Sequence, residues 1–201
     1  MTAILCIFAR VPVLGAVKTR LAAGLGERAA LDAHSRLVQD TLERLGAIDG
    51  MATELWVDRP GHPEAVRWAA RYALPLQTQT GADLGERMHG ALQQCHARGR
   101  WGLLVGTDCP TIGPDYLKAA LAALDAHDVV LGPAQDGGYG LIGARRPVPE
   151  LFREMPWGTS EVCAATLAAA AEAGLSVACL DEIWDVDHAA DWRRYLALRG
   201  S

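Results

Sequence analysis

The hydrophobic positions of the chain form short apolar runs, and longer stretches with the period of an amphipathic helix separate them. Seven runs predict strands: AILCIFA (3–9), TELWVD (53–58), LPLQTQ (74–79), GLLVG (102–106), DVVLGP (128–133), YGLIGA (139–144) and LSVACL (175–180). The intervening pattern predicts helices near 28–45, 63–72, 84–97, 114–126, 160–173 and 189–198. This alternation is typical of an α/β fold with a mostly parallel sheet.

Helix starts are marked by suitable residues. Glu27 lies near the start of the first predicted helix, and Pro114 suits a first helical position. Thr159 or Ser160 can cap the helix that follows them. No linker, repeat or charge block divides the chain, so residues 1–201 are expected to form a single domain.

The composition and net charge limit the classes of partner that the protein is expected to bind. The 201 residues are half hydrophobic, and their formal net charge is −5 with a pI near 5.6. An acidic chain gains nothing from counterion release on nucleic acid or on a membrane surface, so we expect neither as a partner. An anionic ligand would therefore need a local cluster of cations.

The cysteines and the apolar runs indicate the cellular compartment in which we expect the protein. The five cysteines are widely spaced and form no C-x-x-C pair, which favours reduced thiols in a cytoplasm. No basic leader precedes the first apolar run, so a signal peptide is not expected. The apolar stretch at 162–180 is split by Glu172, Gly174 and Ser176, so we expect a helix and a short strand there and no membrane span.

The first predicted strand ends in a loop that carries cations. In an open α/β sheet, ligands bind beyond the carboxyl ends of the strands. Val17 occupies the glycine position of a P-loop, and no G-x-G-x-x-G follows, so neither motif is present. Arg10, Lys18 and Arg20 can instead offer three positive charges to a polyphosphate, with Gly15 relaxing the backbone. The alternative is a solvated turn.

Carboxylates follow later strands. Asp108 in GTDCP stands at a strand end, where it could hold a hard divalent cation or cap a turn. Asp185 and Asp187 alternate with Val186 and should face the same way if that stretch is extended, although Asp187 could also be the N-cap of the last helix.

Three further stretches could border a ligand. The turn at Asp136 and its two glycines brings backbone close to the cleft, or is only a hairpin turn. In TGADLGERMHGAL, Gly85 could expose an amide and Arg87 could reach an anion. Trp157 beside a helix start could stack on a sugar or base, or belong to the core.

Other catalytic classes find no support. The six histidines show no metal spacing and no partnered nucleophile. Cys6 is predicted to be a buried strand residue and Cys109 a turn residue, so cysteine catalysis is not indicated.

Five ordered motifs resemble one known family. FARVPVLGAVKTRLAAGLG, DLGERM, VGTDCPTI, VLGPAQDGGYGLIG and PWGTSEV look like the bacterial DUF2064 family, glycosyltransferase-like proteins of the GT-A, or nucleotide-diphospho-sugar transferase, fold. The opening KTRL followed by GLGER is also similar to phospholactate guanylyltransferases. The resemblance implies a three-layer α/β/α sandwich with the nucleotide over the N-terminal half of the sheet.

The resemblance also implies roles for individual residues. Donor phosphates and nucleotide would contact Ala9, Arg10, Gly15, Lys18, Arg20, Gly85 and Arg87. The acceptor side would consist of Asp136, Gly137, Gly138, Tyr139, Trp157 and Thr159. Asp108 and Asp187 would bind Mg²⁺ or Mn²⁺, and Lys18, Arg20 and Asp108 would carry the catalysis. The chain departs from the family pattern at Gln135, Gly140 and His188-Ala189.

Three functions follow as hypotheses. The first is metal-dependent transfer from a nucleotide-sugar donor to a small-molecule acceptor, in which Lys18 and Arg20 stabilise the negative charge of the leaving diphosphate. The second is nucleotidyl transfer from an NTP to a small phosphorylated acceptor, which releases pyrophosphate. The third is a nucleotide-binding protein without catalysis. The acceptor and the oligomeric state stay open.

Overall fold

The strands of the structure coincide closely with the apolar runs. The computed structural model describes residues 3–200. Its seven strands are β1 (Ala3–Ala9), β2 (Ala52–Val57), β3 (Leu76–Thr78), β4 (Trp101–Gly106), β5 (Val129–Pro133), β6 (Tyr139–Ala144) and β7 (Val177–Cys179).

Residues 3–200 also form seven α-helices and one short 3₁₀ helix, and the last α-helix follows the last strand. The α-helices are α1 (Thr19–Leu25), α2 (Glu27–Leu45), α3 (Pro63–Tyr72), α4 (Leu84–Ala97), α5 (Pro114–Ala126), α6 (Val162–Glu172) and α7 (Ala189–Gly200). The 3₁₀ helix covers Pro149–Phe152. Among residues 3–200, no helix combines the length and the apolar composition that crossing a bilayer would require.

All seven strands form one sheet in the order β3-β2-β1-β4-β6-β5-β7. The pairs of β1 with β2, β1 with β4, β2 with β3 and β5 with β7 are parallel, whereas β6 runs antiparallel to both β4 and β5. The expected mostly parallel sheet is confirmed. The antiparallel strand arises because the tight turn at 134–138 returns the chain directly beside β5.

The core lies on both faces of the sheet. Every residue of β1 is buried, and its side chains alternate between two core clusters. Leu5 and Ile7 pack with α2, α3 and α5, whereas Ile4 and Phe8 pack with α4 and α6. Burial on both faces explains why β1 is a continuous apolar run and not an alternating one. The result is the expected three-layer α/β/α sandwich.

Two local features differ from the predictions. No helix was predicted over residues 19–25, which form α1 in the structure. This helix has only seven residues and follows Lys18, whose φ of 50° is left-handed, so it carries no ordinary helix-start signal. Helix α6 begins at Val162 with no side-chain cap. The Thr159 hydroxyl instead donates to the carbonyl of Pro156 and accepts from the N–H of Glu161, so it stabilises the preceding turn.

Candidate functional site

A large cleft lies at the carboxyl edge of the sheet, where the strand order reverses between β1 and β4. The loops after these strands diverge at such a point and leave a crevice. The cleft has a volume of about 1010 Å³, which is ample for a nucleotide sugar. Its lining includes most predicted site residues: Ala9, Arg10, Lys18, Arg20, Arg87, Asp108, Asp136, Gly138, Tyr139, Trp157, Thr159 and Asp187.

Lys18 is the buried cation of the site. Its Nζ lies 2.9 Å from Oδ2 of Asp108 and donates to the carbonyl of Val186 at 2.6 Å, and its side chain is only 6% exposed. Burial alone would lower the pKa of Lys18, but the charge of Asp108 and its hydrogen bond outweigh burial, so the pKa is raised. Lys18 therefore stays protonated and joins the first loop (residues 10–18) to β4 and to the tail segment (residues 183–188).

Arg20, in contrast to Lys18, is exposed. Its guanidinium donates to Oδ2 of Asp187 at 2.7 Å, and 60% of its side chain is exposed. The contacts with Asp187 raise the pKa of Arg20 further. Arg20 can therefore reach a ligand in the cleft, whereas Lys18 faces Asp108 and the tail segment.

Asp108 stands just beyond β4 and is tied to the tail segment by its backbone. Its carbonyl accepts from the N–H of Val186 at 2.9 Å. Of its carboxylate oxygens, Oδ2 contacts Lys18, while Oδ1 is buried and has no hydrogen-bond partner among residues 3–200. An unpaired buried carboxylate oxygen is costly, which marks it as a potential ligand-binding atom.

The tail segment delivers two more carboxylates. Val186 is fully buried, and its neighbours Asp185 and Asp187 both face the cleft, as the predicted alternation requires. Burial, and then the nearby charge of Asp136, raise the pKa of Asp185 from 3.8 to about 6. The Asp191 carboxylate accepts from the N–H groups of Asp187 and His188, so Asp191 caps α7 from within its first turn.

The predicted acceptor side is built from the turn before β6 and from the loop before α6. Oδ1 of Asp136 accepts from the N–H of Gly138 at 2.9 Å, which fixes the turn. Gly137 lies outside the cleft lining, with φ of +87°, and a Cβ there would come within 2.1 Å of the Ser160 carbonyl oxygen. The N–H of Cys163 donates to the Gly137 carbonyl at 2.9 Å. The turn is therefore packed against the start of α6.

Position 140 has no room for a side chain. A Cβ on Gly140 would lie 2.5 Å from Sγ of Cys109 and 2.7 Å from Ile183. The backbone of β6 therefore approaches the tail segment directly, and a side chain has no room at this position.

The predicted nucleotide side is brought together only in part. Arg10 is exposed and lines the cleft, and its carbonyl accepts from Nε2 of His34 at 2.9 Å. Nε of Arg87 donates to the carbonyl of Gly81, and Arg87 also lines the cleft. Gly15 lies outside the lining, close to Glu27.

Gly85 has a different role from the expected exposed amide. It is buried, and a Cβ at this position would lie 2.6 Å from the Trp157 ring and 2.8 Å from the carbonyl oxygen of Phe152. The missing side chain therefore makes room for the indole of Trp157. Trp157 borders the cleft and also packs on α4. It therefore belongs partly to the core while its position still allows contact with a ligand.

Two residues of the cleft carried no signal in the sequence. His34 is buried in α2, and burial lowers its pKa, so a neutral ring donates through Nε2 to the first loop. Gln79 follows β3 and lines the cleft beside Ala9. Either residue type is common in helices and loops, so its position became meaningful only once the fold brought it to the strand ends.

The carboxylates suit a divalent cation that is held in part by a ligand. Asp108 and Asp187 are hard oxygen donors, and Oδ1 of Asp108 lacks a partner in the described part of the chain. Across residues 3–200, no three acidic, histidine or cysteine side chains form a ready-made metal cluster. Mg²⁺ is commonly bound by one or two carboxylates together with substrate phosphates, so the residues present fit that mode.

Comparisons with solved structures agree with this architecture. A protein from Desulfovibrio desulfuricans G20, provisionally described as a nucleotide-diphospho-sugar transferase, is 30% identical, covers 94% of this chain and 84% of its own, and superposes with a TM-score of 0.84. CMP:2-keto-3-deoxy-manno-octonic acid synthetase complexed with CTP is 14% identical over 100% and 99% of the two chains, with a TM-score of 0.64. Inositol-1-phosphate CTP transferase from T. maritima is 13% identical over 94% and 91%, with a TM-score of 0.55.

The sequence comparisons identify the family. A comparison with curated protein sequences finds no match. Residues 41–159 match the DUF2064 family, described as uncharacterized proteins conserved in bacteria. This match covers more than half of the chain and includes three of the motifs that resembled the family, together with the start of a fourth, PWGTSEV. The chain therefore belongs to the DUF2064 family.

Proposed function

We propose that the protein is a transferase that uses a nucleotide-activated donor, with a nucleotide sugar as that donor and a small molecule as the acceptor. The observation that carries the proposal is the meeting of Lys18, Arg20 and Asp108 in one large cleft at the strand ends. The similarity to the Desulfovibrio protein, provisionally described as a nucleotide-diphospho-sugar transferase, supports the same class.

The exposed and the buried cations have different roles in this proposal. Arg10 and Arg20 are exposed and can bind the diphosphate of the donor. Lys18 is nearly buried and orients the Asp108 carboxylate through their ion pair. When the acceptor oxygen attacks the anomeric carbon, the bond between that carbon and the diphosphate oxygen breaks. The guanidinium of Arg20 then stabilises the negative charge on the departing nucleotide.

Asp136 is the candidate to receive the proton of the acceptor hydroxyl, since it lies on the acceptor side of the cleft. Asp108 and Asp187 are the candidate ligands of Mg²⁺ or Mn²⁺. Such a cation, when bound, would neutralise the phosphate oxygens and ease departure of the leaving group.

Nucleotidyl transfer is the second candidate, because two of the structural neighbours are named for CTP or bound to it. In that reaction a phosphate oxygen of a small phosphorylated acceptor attacks the α-phosphorus of an NTP, and pyrophosphate leaves. The same exposed arginines would stabilise the pyrophosphate.

Product analysis tests the proposal. The protein is incubated with Mg²⁺, a panel of nucleotide sugars and NTPs, and pooled small acceptors. NDP release supports sugar transfer, whereas pyrophosphate release supports the second candidate. Arg20→Ala should reduce the rate about a hundredfold, while Arg67→Ala, which removes an exposed arginine on α3, should leave the rate unchanged.

Calorimetry separates catalysis from simple binding. Asp108→Asn should lose the dependence of nucleotide affinity on Mg²⁺. Equal affinity with and without the metal, in both wild type and variant, would favour a nucleotide-binding protein without catalysis. Failure of every nucleotide to bind would refute the proposal.

A further inference from the structure

Gln79 connects the ends of two strands beside the cleft. Its backbone N–H continues the sheet by donating to the carbonyl of Val57 at 2.9 Å. Its side-chain Nε2 donates to the carbonyls of Trp56, at 2.9 Å, and Ala9, at 3.2 Å. The amide group is therefore held at the carboxyl ends of β2 and β1, next to the first loop.

These contacts fix which way the amide faces. Both partners are carbonyl oxygens, which can only accept, so the atom directed at them must be the NH₂ group. Both N–H bonds of Nε2 are thereby used. No donor among residues 3–200 contacts Oε1, and the residue is partly exposed in the cleft lining. Oε1 is thus the polar atom of this side chain that is left for a ligand.

We propose that Oε1 of Gln79 accepts a hydrogen bond from an N–H group on the Watson–Crick edge of the donor's nucleobase, which makes Gln79 a residue that determines base specificity. The inference rests on the proposed function, because it requires a nucleotide in the cleft. Ala9 and Arg10, beside Gln79, belong to the predicted nucleotide side. Phe8 and Met88 are largely buried, but both border the cleft, where their exposed edges are apolar.

The fixed orientation of the Gln79 amide favours discrimination between nucleobases over equal binding of all of them. Its orientation is already set in the free protein, so binding does not have to order it. An amide that was free to rotate could turn its NH₂ group towards an acceptor on the base. The NH₂ group of Gln79 already donates to two carbonyls and cannot turn towards the base. If the base presents only a lone pair here, that lone pair and Oε1 of Gln79 are both left without a donor.

The test combines a change in the ligand with a change in the protein. Affinities of the four common nucleoside diphosphates, with Mg²⁺, are measured by calorimetry. The tightest ligand is then compared with its analogue in which the edge N–H is N-methylated. The wild type should bind the methylated analogue about tenfold more weakly, which corresponds to one hydrogen bond.

In Gln79→Met, which keeps the length of the side chain, the methylated and parent ligands should bind equally. Gln94→Met, an exposed substitution on α4, should retain the wild-type ratio. A purely structural role for Gln79 would weaken both ligands together and leave the ratio intact, and this result would overturn the inference.

The wild type alone can also decide the inference, even if the Gln79 variant does not fold. Equal affinity of the wild type for parent and methylated nucleotide would overturn the base contact while leaving the proposed function standing. Absence of nucleotide binding by the wild type would overturn both.

Discussion

The ammonium of Lys18 lies 2.9 Å from the carboxylate of Asp108 and also donates to the carbonyl of Val186, which follows it by 168 residues. One side chain thus joins the first loop, the end of β4 and the tail segment. Because it is nearly buried, its main contacts are with the protein, and its role in the site is to hold and balance Asp108. The sequence predicted a cation at this place but assigned it directly to the donor phosphates.

Lys18→Met should lower the free energy of unfolding by about 2 kcal/mol, because it leaves Asp108 and the carbonyl of Val186 without their partner. Chemical denaturation measures the change. Lys118→Met removes a largely exposed pair with Asp115 and should change stability by less than about 0.5 kcal/mol. Equal effects of the two substitutions would show that the buried contacts contribute nothing.

Asp185 should make the protein less stable as the pH rises from about 4 to about 6. Its pKa is raised from 3.8 to about 6 by burial and by the charge of Asp136, so the folded state holds a proton that the unfolded state has already lost. Asp185→Asn should flatten this part of the profile, measured by urea unfolding at a series of pH values. Asp115→Asn, at an exposed position, is the control and should leave the profile unchanged.

Asp128 should show the opposite dependence. The backbone N–H of Ser176, together with Arg146 and Arg145, holds the pKa of this carboxyl below its ordinary value. Its contribution to stability is therefore present above pH 4 and is lost as the pH falls further. Asp128→Asn should be less stable than wild type at pH 7, and the two should converge on acidification. A difference that grows below pH 4 would contradict the assignment.

Gly137→Ala should destabilise the protein by more than about 2 kcal/mol, because its Cβ would overlap the Ser160 carbonyl and φ is +87°. Gly158 has a similar φ of +82°, but a Cβ there would meet nothing within 4 Å. Gly158→Ala should therefore cost only about 1 kcal/mol of backbone strain. Thermal unfolding of the two variants isolates the steric part, and similar melting temperatures would refute it.

Local patterns predicted most of the fold. The bounds of β1, α3, α4 and α5 follow directly from the apolar runs and from helix signals such as Pro114. The short helix α1 escaped prediction because it starts at a left-handed residue without a capping side chain. Its position depends on the distant contacts of Lys18, and no local window contains them.

The site was predictable as far as strand ends could mark it. Asp108 follows β4, Asp136 lies between β5 and β6, and the pair at 185 and 187 was marked by its alternation with Val186; all four line the cleft. The sequence could not predict which charged side chains pair with each other, or which glycines are required because a side chain would have no room. The packing of Gly85 beneath Trp157 joins positions 72 residues apart, so its cause lies in tertiary contact and not in the local motif.

The late position of the tail segment has a consequence for synthesis. Ile183 forms a bridge with Ala134, and Val186 donates to Asp108. A polypeptide emerges from the ribosome amino end first, so Lys18 and Asp108 are translated long before the backbone that completes their surroundings. The cleft can therefore reach its final form only after residues 183–188 have been synthesised, because these residues supply part of its lining.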